Sequence, residues 1–153
     1  MSRVRTTLKV IARIVSAVGM FAVAALHAVW ASGSSWPAKN QKKLGEAVVG
    51  QSKVLPDPAA TAVVAAGAAG AGLLATGALG RGRLARLGLR LVGTVMLLRA
   101  ILGGDTALTV LGLPPAGKTF QRLDQSYYRP FAAVMGVSLW IASFWGRRKR
   151  SAD

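Results

Sequence analysis

The stretch GLPPAGKT, Gly112 to Thr119, has the G-x-x-x-x-G-K-T spacing of a phosphate-binding loop. A working loop follows a buried strand, opens a helix whose free N–H groups hold the phosphates, and has a magnesium site nearby. Here Pro114 and Pro115 remove two N–H donors. The long apolar runs of the chain leave too few residues for an α/β core. The distribution of basic residues around those runs puts this stretch outside the cytoplasm. We therefore predict a turn that binds no nucleotide.

Two polar residues within apolar sequence are the other candidates for chemistry. His27 closes a long apolar run, and Trp30 lies three residues later on the same helical face. Arg99 is flanked by VMLL and AIL. A charge at mid-membrane costs about 2.5–3.5 kcal/mol, so Arg99 must reach the surface or find a partner. Asp105 and Asp124 are the candidate partners.

These residues predict one polar cluster, built around His27 and Arg99 on the outer side of a membrane. Its expected members are His27, Trp30, Trp36, Arg99, Asp105, Asp124 and Tyr127. The cluster either binds a ligand or a lipid headgroup, or forms an internal network that pins the helices, and we favour the network. The alternative for His27 alone is a hydrogen bond to a neighbouring backbone carbonyl. Trp30 and Trp36 also fit an aromatic belt at the outer surface.

The sequence offers no complete catalytic or metal-binding set. No clear nucleophile lies beside His27, so we assign no catalytic residue. The chain has no cysteine and one histidine, which excludes cysteine-based zinc sites and an all-histidine site. We therefore expect no metal and no cofactor, and we lean towards a protein that is not an enzyme.

The composition favours a membrane protein. Hydrophobic residues make up 52% of the 153 residues, and charged residues only 16%, against roughly 25% in a typical soluble domain. The net charge of +15 suggests nucleic acid as one partner. Most basic residues, however, sit at the ends of apolar runs and not in one patch, as membrane-flanking charges do. We therefore expect the lipid bilayer, and no nucleic acid, as a partner.

Four apolar segments have or approach the roughly 20 residues that a helix needs to cross a bilayer. They lie at about 10–31, 59–79, 84–103 and 127–145. The expected fold is an all-α, polytopic integral membrane protein with four transmembrane helices in a single domain. Two longer loops, at about 32–58 and 104–126, join the first span to the second and the third to the fourth. The first loop contains NQKKLGEAVVG, which suits a short interfacial helix.

The basic residues orient these spans. The N-terminal segment, the short loop with Arg81, Arg83 and Arg86, and the C-terminal tail carry more of them than the two longer loops do. The positive-inside rule therefore places both termini in the cytoplasm and the longer loops outside. An alternative is that residues 1–31 form a cleaved signal peptide, which leaves three spans. The length of the apolar stretch favours a retained span, and both interpretations leave the longer loops outside.

The second span is rich in small residues, TAVVAAGAAGAGLLATGALG. Small residues four apart let helix backbones approach closely in lipid. Such pairs are Ala66 with Gly70, Gly67 with Ala71, and Ala68 with Gly72. The pattern fits either a dimer face or tight packing inside one bundle, and we favour packing inside the bundle.

Three stretches resemble a known family: HAVWASGSSWP, the small-residue second helix, and TFQRLDQSYYRPF before the last span. The most specific piece is H-x-x-W-A-x-G-x-x-W, matched by His27, Trp30, Ala31, Gly33 and Trp36. Over most of its length the chain resembles small bacterial membrane proteins known as domain of unknown function 3995. The resemblance implies a four-helix integral protein of the bacterial plasma membrane, and it implies no established activity.

Three functions are compatible with these features. We favour a non-enzymatic module that packs with itself, as a homo-oligomer, or with a membrane protein partner through the second helix. The second possibility is a small transporter or a transporter subunit, for which Arg99 favours an anion. The third is a membrane enzyme that uses His27 as acid or base near a lipid headgroup.

The orientation is testable with one cysteine, because the native chain has none. Lys118→Cys is expected to react with a membrane-impermeant maleimide in intact cells, since the charge pattern puts the 104–126 loop outside. The measurement compares labelling of intact and lysed cells. Labelling only after lysis would reverse the orientation and would make nucleotide binding at GLPPAGKT worth testing.

Overall fold

The chain is helical through most of the part that the structure describes. The structure is a computed structural model, and it describes residues 2–51, 57–110, 112 and 114–144. Its helices are α1 Ser2–Ala31, α2 Gln41–Val48, α3 Pro58–Thr76, α4 Arg83–Val110, α5 Lys118–Leu123 and α6 Arg129–Ser143. A π-helical turn, Asp124–Tyr128, joins α5 to α6. The described residues contain no strand, so the prediction of an all-α fold is confirmed.

Three helices are long and apolar enough to cross a membrane: Arg3–Ala31, Pro58–Thr76 and Arg83–Thr106. They correspond to the first three predicted spans. For the fourth, predicted at 127–145, the structure has α6, whose 15 residues are fewer than the roughly 20 of a typical crossing. Residues 145–153, which include the end of that predicted span and the basic tail, lie outside the described residues.

Local signals fix both ends of α3. The Asp57 Oδ1 caps its N-terminus, because it accepts a hydrogen bond of 2.7 Å from the Ala60 N–H. Gly77 ends the helix in a left-handed conformation, with φ 84°, and its N–H donates back to carbonyl groups of the last turn. The helix therefore ends at Thr76, before the predicted end of the span at 79.

The core is built mainly from small side chains. α1 packs against α3 and α6, and α6 also packs against α4, whereas α3 and α4 share few contacts. The main buried cluster comprises Ala17, Met20, Ala24, Ala68, Ala71, Ala75, Leu89, Met135, Leu139 and Ala142. The alanines let helix axes come close, and the four larger side chains fill the space between them.

The small residues of α3 divide between two faces. Ala68, Ala71 and Gly72 are buried, whereas Ala66 and Gly67 are exposed and Gly70 is half-buried. A Cβ at Gly72 would lie 2.8 Å from the Phe21 ring of α1, so this glycine permits close packing. At Gly67 and Gly70 no neighbouring atom of the described residues lies within 4 Å of the Cβ position. One face of the helix therefore packs inside the chain, and the other is open.

α4 and α6 cross closely at two glycines that the patterns above do not single out. A Cβ at Gly136 would lie 3.0 Å from the Gly93 carbonyl oxygen and 2.6 Å from the Leu97 Cγ. Gly136 follows the buried Ala132 by four residues, which is the same small-residue spacing that marks α3. The signal for this crossing is therefore present in the sequence of α6.

Two arginines hold the helix ends at the opposite end of the bundle from α2. Arg13 of α1 donates from Nε to the Ala75 carbonyl oxygen at 2.8 Å, and from Nη2 to the next carbonyl of α3. Arg90 of α4 donates to the Ser143 Oγ at 3.3 Å, and its guanidinium lies 5.5 Å from the centre of the Trp140 ring. The Arg13 contact is favourable because a helix C-terminus carries a partial negative charge, and the Arg90 contact because a guanidinium is attracted to the face of an aromatic ring.

Gly136→Ala is expected to lower the free energy of unfolding by about 1–3 kcal/mol, because an added methyl group would press on the Gly93 backbone. Gly67→Ala is the matched control, since it makes the same change at an open position of α3. It should be neutral or slightly stabilising. Thermal unfolding in mild detergent measures both variants, and equal stabilities would contradict the close crossing of α4 and α6.

Candidate functional site

α4 is broken at Gly103, where φ 80° and ψ 172° leave the helical region. Residues with a side chain rarely adopt this φ, so the break requires glycine. A break leaves carbonyl groups of the first segment and N–H groups of the second without helical partners. The helix then resumes and continues to Val110, so the predicted loop 104–126 begins with helical residues.

Asp124 closes the N–H side of the break. Its Oδ2 accepts a hydrogen bond of 2.9 Å from the Gly104 N–H, and its Oδ1 accepts one from the Arg99 Nη2. The side chain of Asp124 is only 7% exposed and that of Arg99 is 26% exposed. Because a charge in apolar surroundings is costly without a partner, each ion depends on the other. Of the two candidate partners, the structure pairs Arg99 with Asp124.

Arg129 closes the carbonyl side of the same break. Its Nε donates to the Ala100 oxygen at 2.7 Å, and its Nη2 donates to the Ile101 oxygen at 2.9 Å. A positive charge is favourable at a helix C-terminus and a negative charge at an N-terminus. Arg129 and Asp124 therefore match the dipoles of the two half-helices. Arg129 is not among the predicted site residues, because only contacts between helices identify its role.

Asp105, the other candidate partner, holds the GLPPAGKT turn instead. Its Oδ1 accepts a hydrogen bond of 2.9 Å from the Ala116 N–H, and its Oδ2 accepts one of 3.1 Å from the Gln121 Nε2. The next N–H, that of Gly117, donates to the Gly50 oxygen at 2.9 Å. Two amides that a phosphate-binding loop would direct at its ligand are therefore engaged within the protein.

The structure places His27 apart from the break in α4. Its Nδ1 lies 2.8 Å from the Val23 oxygen one turn earlier, and its ring centre lies 4.9 Å from that of Trp30. The Trp30 Nε1 donates to the Trp36 oxygen at 2.8 Å. His27 and Trp30 line a recess of about 220 Å³ beside the start of α3, which shares no residue with the pocket at the break. The predicted polar cluster is thus two separate groups.

Of two adjacent tyrosines, Tyr128 makes the contacts, although Tyr127 is the predicted site residue. Tyr127 is 66% exposed. The Tyr128 hydroxyl donates to the Ala47 oxygen of α2 at 3.1 Å, and its ring packs on Phe120 with centres 6.0 Å apart.

A pocket of about 340 Å³ lies beside the break, with Asp105, Asp124 and Arg129 in its wall. The charges around it balance, because Arg129 in the wall and Arg99, which pairs with Asp124, accompany the two carboxylates. The Arg99 Nη1 is buried, and within the described residues it has no hydrogen-bond partner. Also within the described residues, no group of three or more His, Asp or Glu is placed to hold a metal ion. The arrangement is suited to holding two half-helices against α5 and α6.

Comparison with known proteins agrees with the resemblance seen in the sequence. A family model described as protein of unknown function, DUF3995, matches residues 20–139, from the middle of α1 into α6. The chain belongs to this family. The match includes both polar groups and the broken α4, so these features lie within the DUF3995 domain. Neither a curated protein nor a solved structure matches the chain.

Asp124→Asn is expected to lower the free energy of unfolding by about 2–3 kcal/mol, somewhat less than for a fully buried pair because Arg99 is partly exposed. Asparagine keeps the shape of the side chain but leaves the arginine without a counter-charge. Denaturant unfolding in detergent measures the loss.

Two further variants serve as controls for this pair. Adding Arg99→Gln to Asp124→Asn should recover part of the loss, because the uncompensated charge is then removed. Asp105→Asn should cost less than Asp124→Asn, since both partners of Asp105 are neutral. Arg99→Gln is also measured alone. If the double variant loses as much unfolding free energy as Asp124→Asn and Arg99→Gln lose together, Arg99 and Asp124 are not coupled.

Proposed function

We propose that this protein is a four-helix integral protein of the bacterial plasma membrane, with both termini in the cytoplasm. α1, α3 and α4 are long and apolar enough to be three of the spans. We assign α6 as the fourth, because it packs along α1 and α4. Its 15 residues rise about 22 Å, to which the preceding π-helical turn adds length. The basic residues of the sequence support the orientation.

Within the membrane, we propose a non-enzymatic packing and interaction module. The observation that carries this proposal is that the two carboxylates and the histidine nominated for chemistry are engaged by the chain itself. Asp124 binds the α4 break, Asp105 binds the turn before α5, and His27 contacts a carbonyl of its own helix. A catalytic site instead directs such groups at a substrate.

The open face of α3 supports an interaction with another helix. Val63 is 71% exposed, and no neighbouring atom of the described chain lies within 4 Å of the Cβ positions of Gly67 and Gly70. These residues follow one another at helical spacing, so they form a shallow groove that a second helix can approach closely in lipid. The partner in this proposal is a second copy of the chain or another membrane protein.

Gly67→Cys is expected to form a disulfide-linked dimer when native membranes are treated with a mild oxidant, because the open faces of two α3 helices would meet there. Ala71→Cys, at a position that is 2% exposed and faces the core, is the matched control and should stay monomeric. A non-reducing gel separates the two states. Gly70→Cys tests a second position on the same face. If both cysteine variants remain monomeric, a homo-oligomer through this face is excluded.

A small transporter or transporter subunit is the second candidate, and the break in α4 favours it. Transporters commonly bind substrates at discontinuous helices, where half-helix ends point at the ligand. It ranks second because Asp124 and Arg129 already occupy both half-helix ends here. Unchanged anion fluxes in proteoliposomes after Arg99→Gln would remove this candidate. An enzyme built around His27 and Arg99 ranks lower still, since the two residues lie in separate groups.

A further inference from the structure

The exposed basic residues at one end of the bundle are not used by the internal network. We call them the basic cap, and they are Lys39, Lys42, Lys43, Lys118 and Arg122, all exposed. Three of them lie on α2 or just before it, and two lie on α5. This is the end of the bundle where α1 finishes and α3 begins.

α2 and α5 form one surface because three contacts join them or the segments beside them. The Gly117 N–H before α5 donates to the Gly50 oxygen after α2 at 2.9 Å. The Gln51 Nε2 donates to the Pro115 oxygen at 2.8 Å. The Tyr128 hydroxyl reaches the last turn of α2. The two sets of cations therefore belong to a single structural unit.

Acidic residues at this end do not cancel the positive charge. Glu46 pairs with Lys43 at 2.7 Å, which neutralises one cation. Asp57 caps α3, and both oxygens of Asp105 accept hydrogen bonds from the chain. Four of the five cations of the cap remain after this ion pair is counted, so the cap keeps a positive excess.

The position of the cap places it at the level of lipid headgroups. α2 connects two helices that are long enough to span, so it lies where both leave the membrane. Its Leu44 is buried against the protein, while Lys42 and Lys43 are exposed. Trp36 and Tyr127 at the same end are 65% and 66% exposed, and such aromatic rings favour the headgroup region.

We propose that the basic cap binds anionic phospholipid headgroups of the leaflet that it faces. Lysine and arginine near a charged bilayer surface are attracted to it, and they donate charge-assisted hydrogen bonds to phosphate oxygens. The cap thereby recruits anionic lipid around α2 and α5. This inference rests on the membrane placement proposed above.

Lipid selectivity in vesicles tests the inference. The full chain is reconstituted in phosphatidylcholine vesicles that contain spin-labelled phosphatidylglycerol or spin-labelled phosphatidylcholine. Electron paramagnetic resonance then measures the lipid fraction immobilised by the protein. The variant Lys42→Gln/Lys43→Gln/Lys118→Gln/Arg122→Gln should lower the preference for phosphatidylglycerol by about threefold. The variant Lys42→Arg/Lys43→Arg/Lys118→Arg/Arg122→Lys keeps the charge and should keep the preference.

The outcomes separate this inference from the membrane placement. Wild-type protein that does not enter vesicles would refute the placement itself. Protein that enters vesicles, keeps its helix content and shows the same preference with and without the four glutamine substitutions would overturn only the lipid-binding cap. Binding of soluble polyglutamate is measured with the same variants. If the glutamine substitutions abolish this binding and leave the lipid preference unchanged, the partner of the cap is a soluble acidic polymer, and the lipid-binding cap is overturned.

Discussion

The structure depends above all on how Asp124 closes the break in α4. One carboxylate satisfies the exposed Gly104 N–H and neutralises Arg99, both of which would be costly to leave without partners in apolar surroundings. Because Asp124 begins the π-helical turn before α6, this contact fixes the position of α6 along α4. Tyr128, one turn later, extends the connection to α2.

A second constraint is the shortage of acidic residues. The chain has 20 lysines and arginines but only five aspartates and glutamates. Carboxylates therefore cannot balance every cation within the apolar bundle. The carbonyl groups at helix C-termini take their place, since they carry partial negative charge. Arg13 uses the end of α3 and Arg129 uses the end of the first half of α4, whereas Arg90 contacts the Ser143 hydroxyl and the Trp140 ring of α6.

The sequence predicts the helical elements well and their mutual contacts poorly. Apolar length identifies α1, α3 and α4, and capping residues explain where α3 begins and ends. The cost of burying Arg99 correctly requires a partner, but the choice of Asp124 over Asp105 depends on how the π-helical turn packs against the break at Gly103, which no local pattern specifies. His27 and Arg99 lie towards the same end of the bundle without sharing a site, because position along the bundle axis does not determine which helices are neighbours.

The contact between Arg13 and α3 has a consequence for the order of assembly. The Ala75 carbonyl that receives the Arg13 guanidinium lies 62 residues further along the chain. During synthesis, α1 is complete long before that carbonyl exists. The contact between Arg13 and the end of α3 can therefore form only once α3 has been made.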